Sequence, residues 1–159
     1  MKIAIGSDHA GWEGESGYKS VLREHFEAQG HEVLDCGSHN GDPVNYPDYA
    51  QRVCEALLNG QAERGVLICG TGIGMSIAAN RYPGIRAAVC WSPESARLSR
   101  EHNNANVLCM GRRMLSLKEC IAIADAWFAQ EFSKEPRHHN RVNQMDKLGG
   151  VSTPCDPGA

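Results

Sequence analysis

The segment Cys69-Gly70-Thr71-Gly72-Ile73-Gly74 places a thiol ahead of three alternate glycines, directly after the apolar run of residues 65–68. Glycines in such a turn let successive backbone N–H groups face one concave point, and a helix starting there adds partial positive charge. A point of that kind binds a phosphate or stabilises a developing oxyanion. Cys69 ends the apolar run beside those N–H groups, where a thiol pKa falls and a thiolate becomes available as base or nucleophile. The plainer alternatives are a tight turn that needs glycine for positive φ, and a cysteine buried as a small hydrophobe. The segment is not the dinucleotide fingerprint, because residue 75 is Met, nor a Walker loop, because no Gly-Lys-Ser/Thr follows. The acid that closes the next strand of a dinucleotide site is also missing, since that strand ends Val89-Cys90-Trp91.

Other polar groups stand where the elements change. Asp8 and His9 follow the first apolar run, and His102-Asn103-Asn104 ends a helical stretch. Arg137 and Arg141 are four apart, so both guanidinium groups project from one helical face, with His138 beside them. Two arginines and a histidine without nearby acids suit a phosphate clamp better than a salt-bridge stripe. Each group also has a plainer duty: Asp8 as a helix cap, His9 as a surface residue, His102 as a complement to the helix dipole, the arginines as a solvated face. His138 and His139 are adjacent and do not share a helical face, so the pair is not read as a metal site.

These groups need elements to hold them. Residues 2–6 read as a strand, and Tyr18, Val21, Leu22 and Phe26 form a helical stripe that stops at Gly30. A second strand covers 31–35, and from Pro47 the positions Ala50, Val53, Cys54, Leu57 and Leu58 keep helical spacing as far as Asn59-Gly60. Residues 65–68 suit a strand buried on both faces, and a small-residue helix runs from the glycines to Asn80. A strand over 85–90 leads to Ser92-Pro93, a cap followed by proline at the first helical position, and that helix reaches about His102. A fifth strand over 106–110 precedes the capping box Ser116-x-x-Glu119 and a helix with stripe Cys120, Ile123, Ala124, Trp127 and Phe128. A last helix spans about 137–148 after Pro136, and residues 149–159 read as a flexible tail.

Strands alternating with helices five times predict an α/β fold, a parallel sheet covered on both faces. Ligands in such folds sit beyond the carboxyl ends of the strands. The segments there are 7–11, the loop around Tyr46, 69–74, 90–92 and 111–113. The 159 residues suit one domain over 1–148, with no internal repeat or interdomain linker. A composition 42% hydrophobic and 22% charged, with net charge −3, excludes disorder and a basic nucleic-acid binder. The apolar runs fall short of a membrane span, and the first apolar stretch is too short for a secretory signal. Seven scattered cysteines with no C-x-x-C pair argue against a disulfide framework or zinc ribbon, and for a cytoplasmic protein.

Four segments occur in order: Gly6-Ser7-Asp8-His9-Ala10-Gly11, Asn45-Tyr46-Pro47-Asp48-Tyr49-Ala50, the stretch from Cys69 to Ala79-Asn80, and Leu98-Ser99-Arg100-Glu101-His102-Asn103. Together they closely resemble the family of type B ribose-5-phosphate isomerases, which also holds the galactose-6-phosphate isomerase subunits. The resemblance covers about residues 1–148. It implies a Rossmann-like three-layer α/β/α sandwich with a five-stranded parallel sheet. It also implies an aldose–ketose isomerase of the pentose phosphate pathway, without metal or cofactor, acting on a phosphosugar. The implied assembly is a homodimer or homotetramer with active sites shared across a dimer interface.

By position, Cys69 matches the family's proton-abstracting base, and Gly70, Thr71, Gly72, Ile73 and Gly74 match the loop that stabilises the enediolate oxygen. Asp8 and His9 match contacts near the reacting end of the substrate, and Tyr46 falls among the substrate-binding residues. His102 matches the acid–base that opens the furanose ring, with Asn103 beside it. Arg113, Arg137 and Arg141 match phosphate and hydroxyl contacts, several delivered by the neighbouring subunit. Some family members carry Ser at position 69 and Glu at position 75. This chain has Cys69 and Met75, and a thioether accepts no proton at neutral pH, so the resemblance assigns the base to Cys69. Residues 12–18 are about four longer than usual, Asn45 replaces the more usual Asp, and Asn104 replaces another. Alternative readings are an isomerase of another phosphosugar (allose or galactose 6-phosphate, or a tetrose phosphate) or a non-catalytic phosphosugar- or nucleotide-binding module.

Overall fold

The computed structural model describes residues 1–12 and 17–148. The tail expected at 149–159, and most of the lengthened segment after Trp12, lie outside the described residues. Five strands, β1 (Lys2–Ser7), β2 (Glu32–Asp35), β3 (Arg64–Cys69), β4 (Ala87–Val89) and β5 (Val107–Gly111), form one sheet in the order β2-β1-β3-β5-β4. Every pairing is parallel, with Leu67 opposite Cys109 and Cys69 opposite Gly111. The helices are α1 (Tyr18–Ala28), α2 (Tyr46–Leu58), α3 (Ile73–Ala79), α4 (Pro93–Asn103), α5 (Leu117–Ala129) and α6 (Pro136–Met145), with a short 3₁₀ turn at His9–Trp12.

Alternation along the strands divides the core in two. Ile3, Ile5, Val66, Ile68, Leu108 and Met110 face α1, α4 and α5, where Phe26, Ile123 and Trp127 close over them. Ala4, Leu67, Cys69, Val107 and Cys109 face α2 and α3, against Val53, Cys54 and Met75. These are the three layers of the expected sandwich, and Cys69 belongs to the α2–α3 side.

Local chemistry sets the boundaries. Ser92 accepts from the Ser95 N–H at 3.1 Å and starts α4, and Ser116 and Glu119 close their capping box reciprocally to start α5. The fourth strand starts later than the expected 85–90: the Ile85 N–H bonds the Tyr82 carbonyl and the Arg86 N–H bonds the Asn106 side chain, while the Asn80 amide takes the N–H and C=O of Ala87 on the strand's outer edge. The last helix ends at Met145 rather than Leu148, and Leu58 is exposed on α2 while Ala56 is buried.

Candidate active site

Cys69 ends β3 almost fully buried, and its sulfur accepts the Gly72 N–H at 3.1 Å. The loop that follows is held by close backbone approach. Gly72 has φ 80°, and a Cβ there would lie 3.0 Å from the Met110 carbonyl carbon at the end of β5. A Cβ on Gly111 would stand 2.7 Å from the Thr71 backbone, so two glycines let the loop and β5 touch. A Cβ on Gly74 would meet the Tyr46 ring at 2.8 Å, which places Tyr46 at the first turn of α2 directly over the loop. The Arg113 side chain covers Gly70 from the end of β5, within 3.4 Å of a Cβ built there.

Two of the loop's N–H groups are engaged inside it, Gly72 on the Cys69 sulfur and Ile73 on the Thr71 hydroxyl at 3.2 Å. The helix that starts there, α3, has seven residues, so the N–H groups of its first turn contribute more to anion binding than a long-helix dipole does. Met75 is fully buried in the α2–α3 core and offers nothing to the site.

At the end of β1, Asp8 realises its plainer reading as well: its carboxylate accepts the Ala10 N–H at 2.9 Å and caps the 3₁₀ turn. His9 is half-buried beside it, with its Nδ1 buried and without a hydrogen-bond partner among the described residues. The turn is fixed from behind. Ser7 exchanges backbone bonds with Gly37 and Ser38 at 2.7 Å each, and Asp35 accepts from both the Gly37 N–H and the buried Lys19 ammonium.

The remaining predicted residues gather elsewhere. The chain enters α4 from the carboxyl end of β4 and leaves it for the amino end of β5, so α4 runs against the strands. His102 and Asn103 therefore sit at the opposite edge of the sheet from Cys69, at the far end of an eleven-residue helix roughly 16 Å long. α6 packs on this end of α4, with the His102 and His138 ring centroids 4.4 Å apart. Arg137 and Arg141 are exposed on the same helix, while His138 is buried and its Nδ1 has no partner among the described residues. Burial, and then His102, Arg137 and Arg141, hold the His138 pKa below its usual value. His139 turns outward to the Ser133 carbonyl, so the two adjacent histidines diverge.

A cavity of about 550 Å³ also lies at this edge, between Gly84, Arg86, Met145 and Asp146, and Asn103 is the one predicted site residue that lines it. One chain thus brings together Asp8, His9, Tyr46, the residues 69–74 and Arg113, and separately His102, Asn103, Arg137 and Arg141. The sequence places Gly111 in the ligand-edge segment 111–113 without singling it out, since its only signal is its position one residue past the apolar fifth strand. Sequence reasoning missed the inward turn of the His138 ring, for which the 3.6-residue period was the available clue.

A thiol at the mouth of a glycine loop, on the carboxyl edge of a parallel sheet, defines an α/β enzyme site that handles an anionic substrate or intermediate. The pattern of the ribose/galactose isomerase family matches residues 3–145. The chain is 44% identical over 147 residues to ribose-5-phosphate isomerase B of Escherichia coli K12, covering 92% of this chain and 95% of that protein. It is 39% identical over 161 residues to the enzyme of the same name from Mycolicibacterium paratuberculosis, covering 100% and 99%. Its structure resembles ribose-5-phosphate isomerase B of Clostridium thermocellum, with TM-score 0.88, 45% identity and coverage of 93% and 97%. It also resembles the ribose 5-phosphate isomerase of Thermotoga maritima, with TM-score 0.87, 44% identity and coverage of 92% and 98%. The chain belongs to the ribose/galactose isomerase family, and it is an isomerase.

Proposed function

We propose that this isomerase interconverts ribose 5-phosphate and ribulose 5-phosphate through an enediolate, in an active site assembled from two copies of the chain. The observation that carries the chemistry is the Cys69 sulfur at the loop mouth, bonded by the Gly72 N–H, with Met75 withdrawn into the core. His102 transfers the proton that opens the furanose ring and frees the aldehyde. Cys69, as thiolate, takes the C2 proton, and the electron pair moves to the carbonyl oxygen at C1. Backbone N–H groups of the loop stabilise that enediolate oxygen. The proton returns from the thiol to C1 as the C2 hydroxyl proton passes to the C1 oxygen, which leaves the ketose and the starting thiolate. Arg113, Arg137 and Arg141 hold phosphate and hydroxyl groups through charge-assisted bonds.

The shared site is supported by the separation of the two groups of residues to opposite edges of one sheet. Around the Cys69 edge, Ile73, Ile77, Trp91 and Met114 are 54–71% exposed, an apolar rim that suits a second copy. His102, Asn103, Arg137 and Arg141 of that copy then complete the site. No helix among the described residues is long and apolar enough to cross a membrane. The test is incubation with ribose 5-phosphate in deuterated water, followed by allose and galactose 6-phosphates and a tetrose phosphate. Ketose formation with deuterium incorporation is expected from the pentose; faster turnover of another sugar would move the substrate, and no turnover of any would leave a binding module.

A further inference from the structure

Arg100 lies two residues before His102, on the inner side of α4, and is only 3% exposed. Among the described residues its guanidinium pairs with no carboxylate. Its Nη1 donates to the Ala105 carbonyl at 2.6 Å and to the Asn104 side-chain oxygen at 3.0 Å, and its Nε donates to the Gln130 carbonyl at 3.3 Å. The guanidinium also lies 5.4 Å from the centre of the Trp127 ring. Burial, with Arg64 and Arg86 nearby, lowers its pKa to about 10, so it stays cationic at neutral pH. A buried cation devoted to uncharged oxygens is costly unless it holds something that matters.

It holds the turn that ends α4. Asn104 adopts a left-handed conformation, φ 47°, which asparagine takes up at helix ends more readily than other residues with a Cβ. The Asn104 N–H bonds the Arg100 carbonyl and the Ala105 N–H bonds the Ser99 carbonyl, each at 3.0 Å, so the backbone folds back onto the helix. The guanidinium grips the same turn from its side-chain and carbonyl oxygens and ties it to the end of α5. His102 and Asn103 lie between the gripping residue and the gripped turn. On its other side the His102 ring meets His138. A lysine cannot reproduce this, because an ammonium lacks the planar fork that reaches three acceptors at once.

We propose that Arg100 is the positioning residue for His102: it locks the carboxyl end of α4 so that the imidazole meets the ring oxygen of a cyclic sugar. The inference rests on the ring-opening role given to His102 above. Ring opening separates from proton transfer by choice of substrate. Ribose 5-phosphate is cyclic, whereas ribulose 5-phosphate cannot form a furanose because its 5-hydroxyl is esterified. Forming the enediolate from the ketose therefore needs Cys69 and the glycine loop but no ring opening.

The experiment compares Arg100→Lys, Asn104→Gly and His102→Asn with the wild-type enzyme in two assays, after folding is checked by thermal melting. One assay is turnover of ribose 5-phosphate; the other is exchange of the C1 proton of ribulose 5-phosphate with solvent deuterium. Arg100→Lys is expected to slow aldose turnover by roughly 10- to 100-fold, the cost of a misplaced group, while exchange stays within about threefold. Asn104→Gly keeps the left-handed turn without the guanidinium contact, and should show the same split more weakly. If both assays fall by one factor in Arg100→Lys and Asn104→Gly, or neither falls, Arg100 is a structural residue and the proposal is overturned. If His102→Asn itself shows no split, the ring-opening reading fails, and that failure is seen at His102 rather than Arg100.

Discussion

The two edges of the sheet solve the problem of placing a functional group in different ways. At the Cys69 edge the group is held by backbone: Gly72, Gly74 and Gly111 permit contacts that any Cβ would break, and the sulfur receives a main-chain N–H. At the His102 edge the groups are side chains on the ends of α4 and α6, steered by Arg100 and by ring contact with His138. Backbone placement is rigid and suits the step whose transition state tolerates least displacement. On the proposed function, side-chain placement suits groups that capture a phosphate and open a ring, reaching the reaction from a second copy. The difference assigns chemistry to one edge and substrate handling to the other.

The strongest way to break this assignment is Cys69→Ala. It should lower kcat by roughly 10²–10⁴, the share that a general base supplies, with KM little changed. The check is exchange of the substrate C2 proton with solvent deuterium. Wild-type exchange in the variant would mean that another group takes the proton, with Asp8 first in line. The converse at the other edge is Arg137→Ala and Arg141→Ala. Each should weaken substrate binding by about 1.5–3 kcal/mol through lost charge-assisted bonds, leaving kcat nearly intact. An unchanged KM in both would place the phosphate elsewhere.

The two edges also differed in how much the sequence revealed. The Cys69 loop was legible because glycine spacing and a preceding apolar strand are local signals, and a parallel α/β sheet dictates which end of the strand the ligand meets. The strand and helix order followed from apolar periodicity and the Ser92 and Ser116 caps. Boundaries at β4 and α6 shifted because tertiary partners decided them: the Asn106 side chain takes the Arg86 N–H just ahead of β4, and Asp146 pairs with Arg86 just past the end of α6. The His102 edge was legible only as a set of residue types. That α4 runs against the strands, and so carries His102 away from Cys69, is a consequence of topology that no window of sequence displays. Leu58 and Ala56 show the same limit at small scale: both fit a helical stripe, and only the packing against β3 chooses between them.

A mixing experiment asks whether the two edges belong to different chains. Cys69→Ala and His102→Asn are each expected to be nearly inactive as homodimers. After random exchange of subunits, half the dimers are mixed, and each mixed dimer has one site with both lesions and one with neither. Activity should recover to about a quarter of wild type. No recovery, with subunit exchange shown by mass-tagged chains, would put both residues in the same chain's site.

The smallest effect separates the edges by pH. Behind the Cys69 edge, burial pushes the Asp35 carboxyl upward, but the hydrogen bond from Lys19 and the Gly37 N–H outweigh it and leave the pKa lowered. A depressed carboxylate contributes stability above its unfolded value of about 3.9, and that contribution is lost as pH falls through the folded value. At the other edge, burial and the neighbouring His102, Arg137 and Arg141 lower the His138 pKa. The unfolded chain then binds a proton that folded His138 refuses, so stability begins to fall as pH drops below the unfolded value of about 6.5. Acidification therefore weakens the His102 edge first and the Cys69 edge only near pH 4. Urea midpoints measured from pH 7 to pH 3 on wild type, His138→Gln and Asp35→Asn resolve the two windows. His138→Gln should flatten the curve between about pH 6.5 and pH 5, and leave the steeper loss near pH 4 in place. Asp35→Asn should be less stable at neutral pH, because it strands the buried Lys19 ammonium, and its gap from wild type should close only in the acid window. Parallel curves for wild type and His138→Gln between pH 5 and pH 7 would show that His138 carries its proton in the folded chain, and that the edges do not differ in this way.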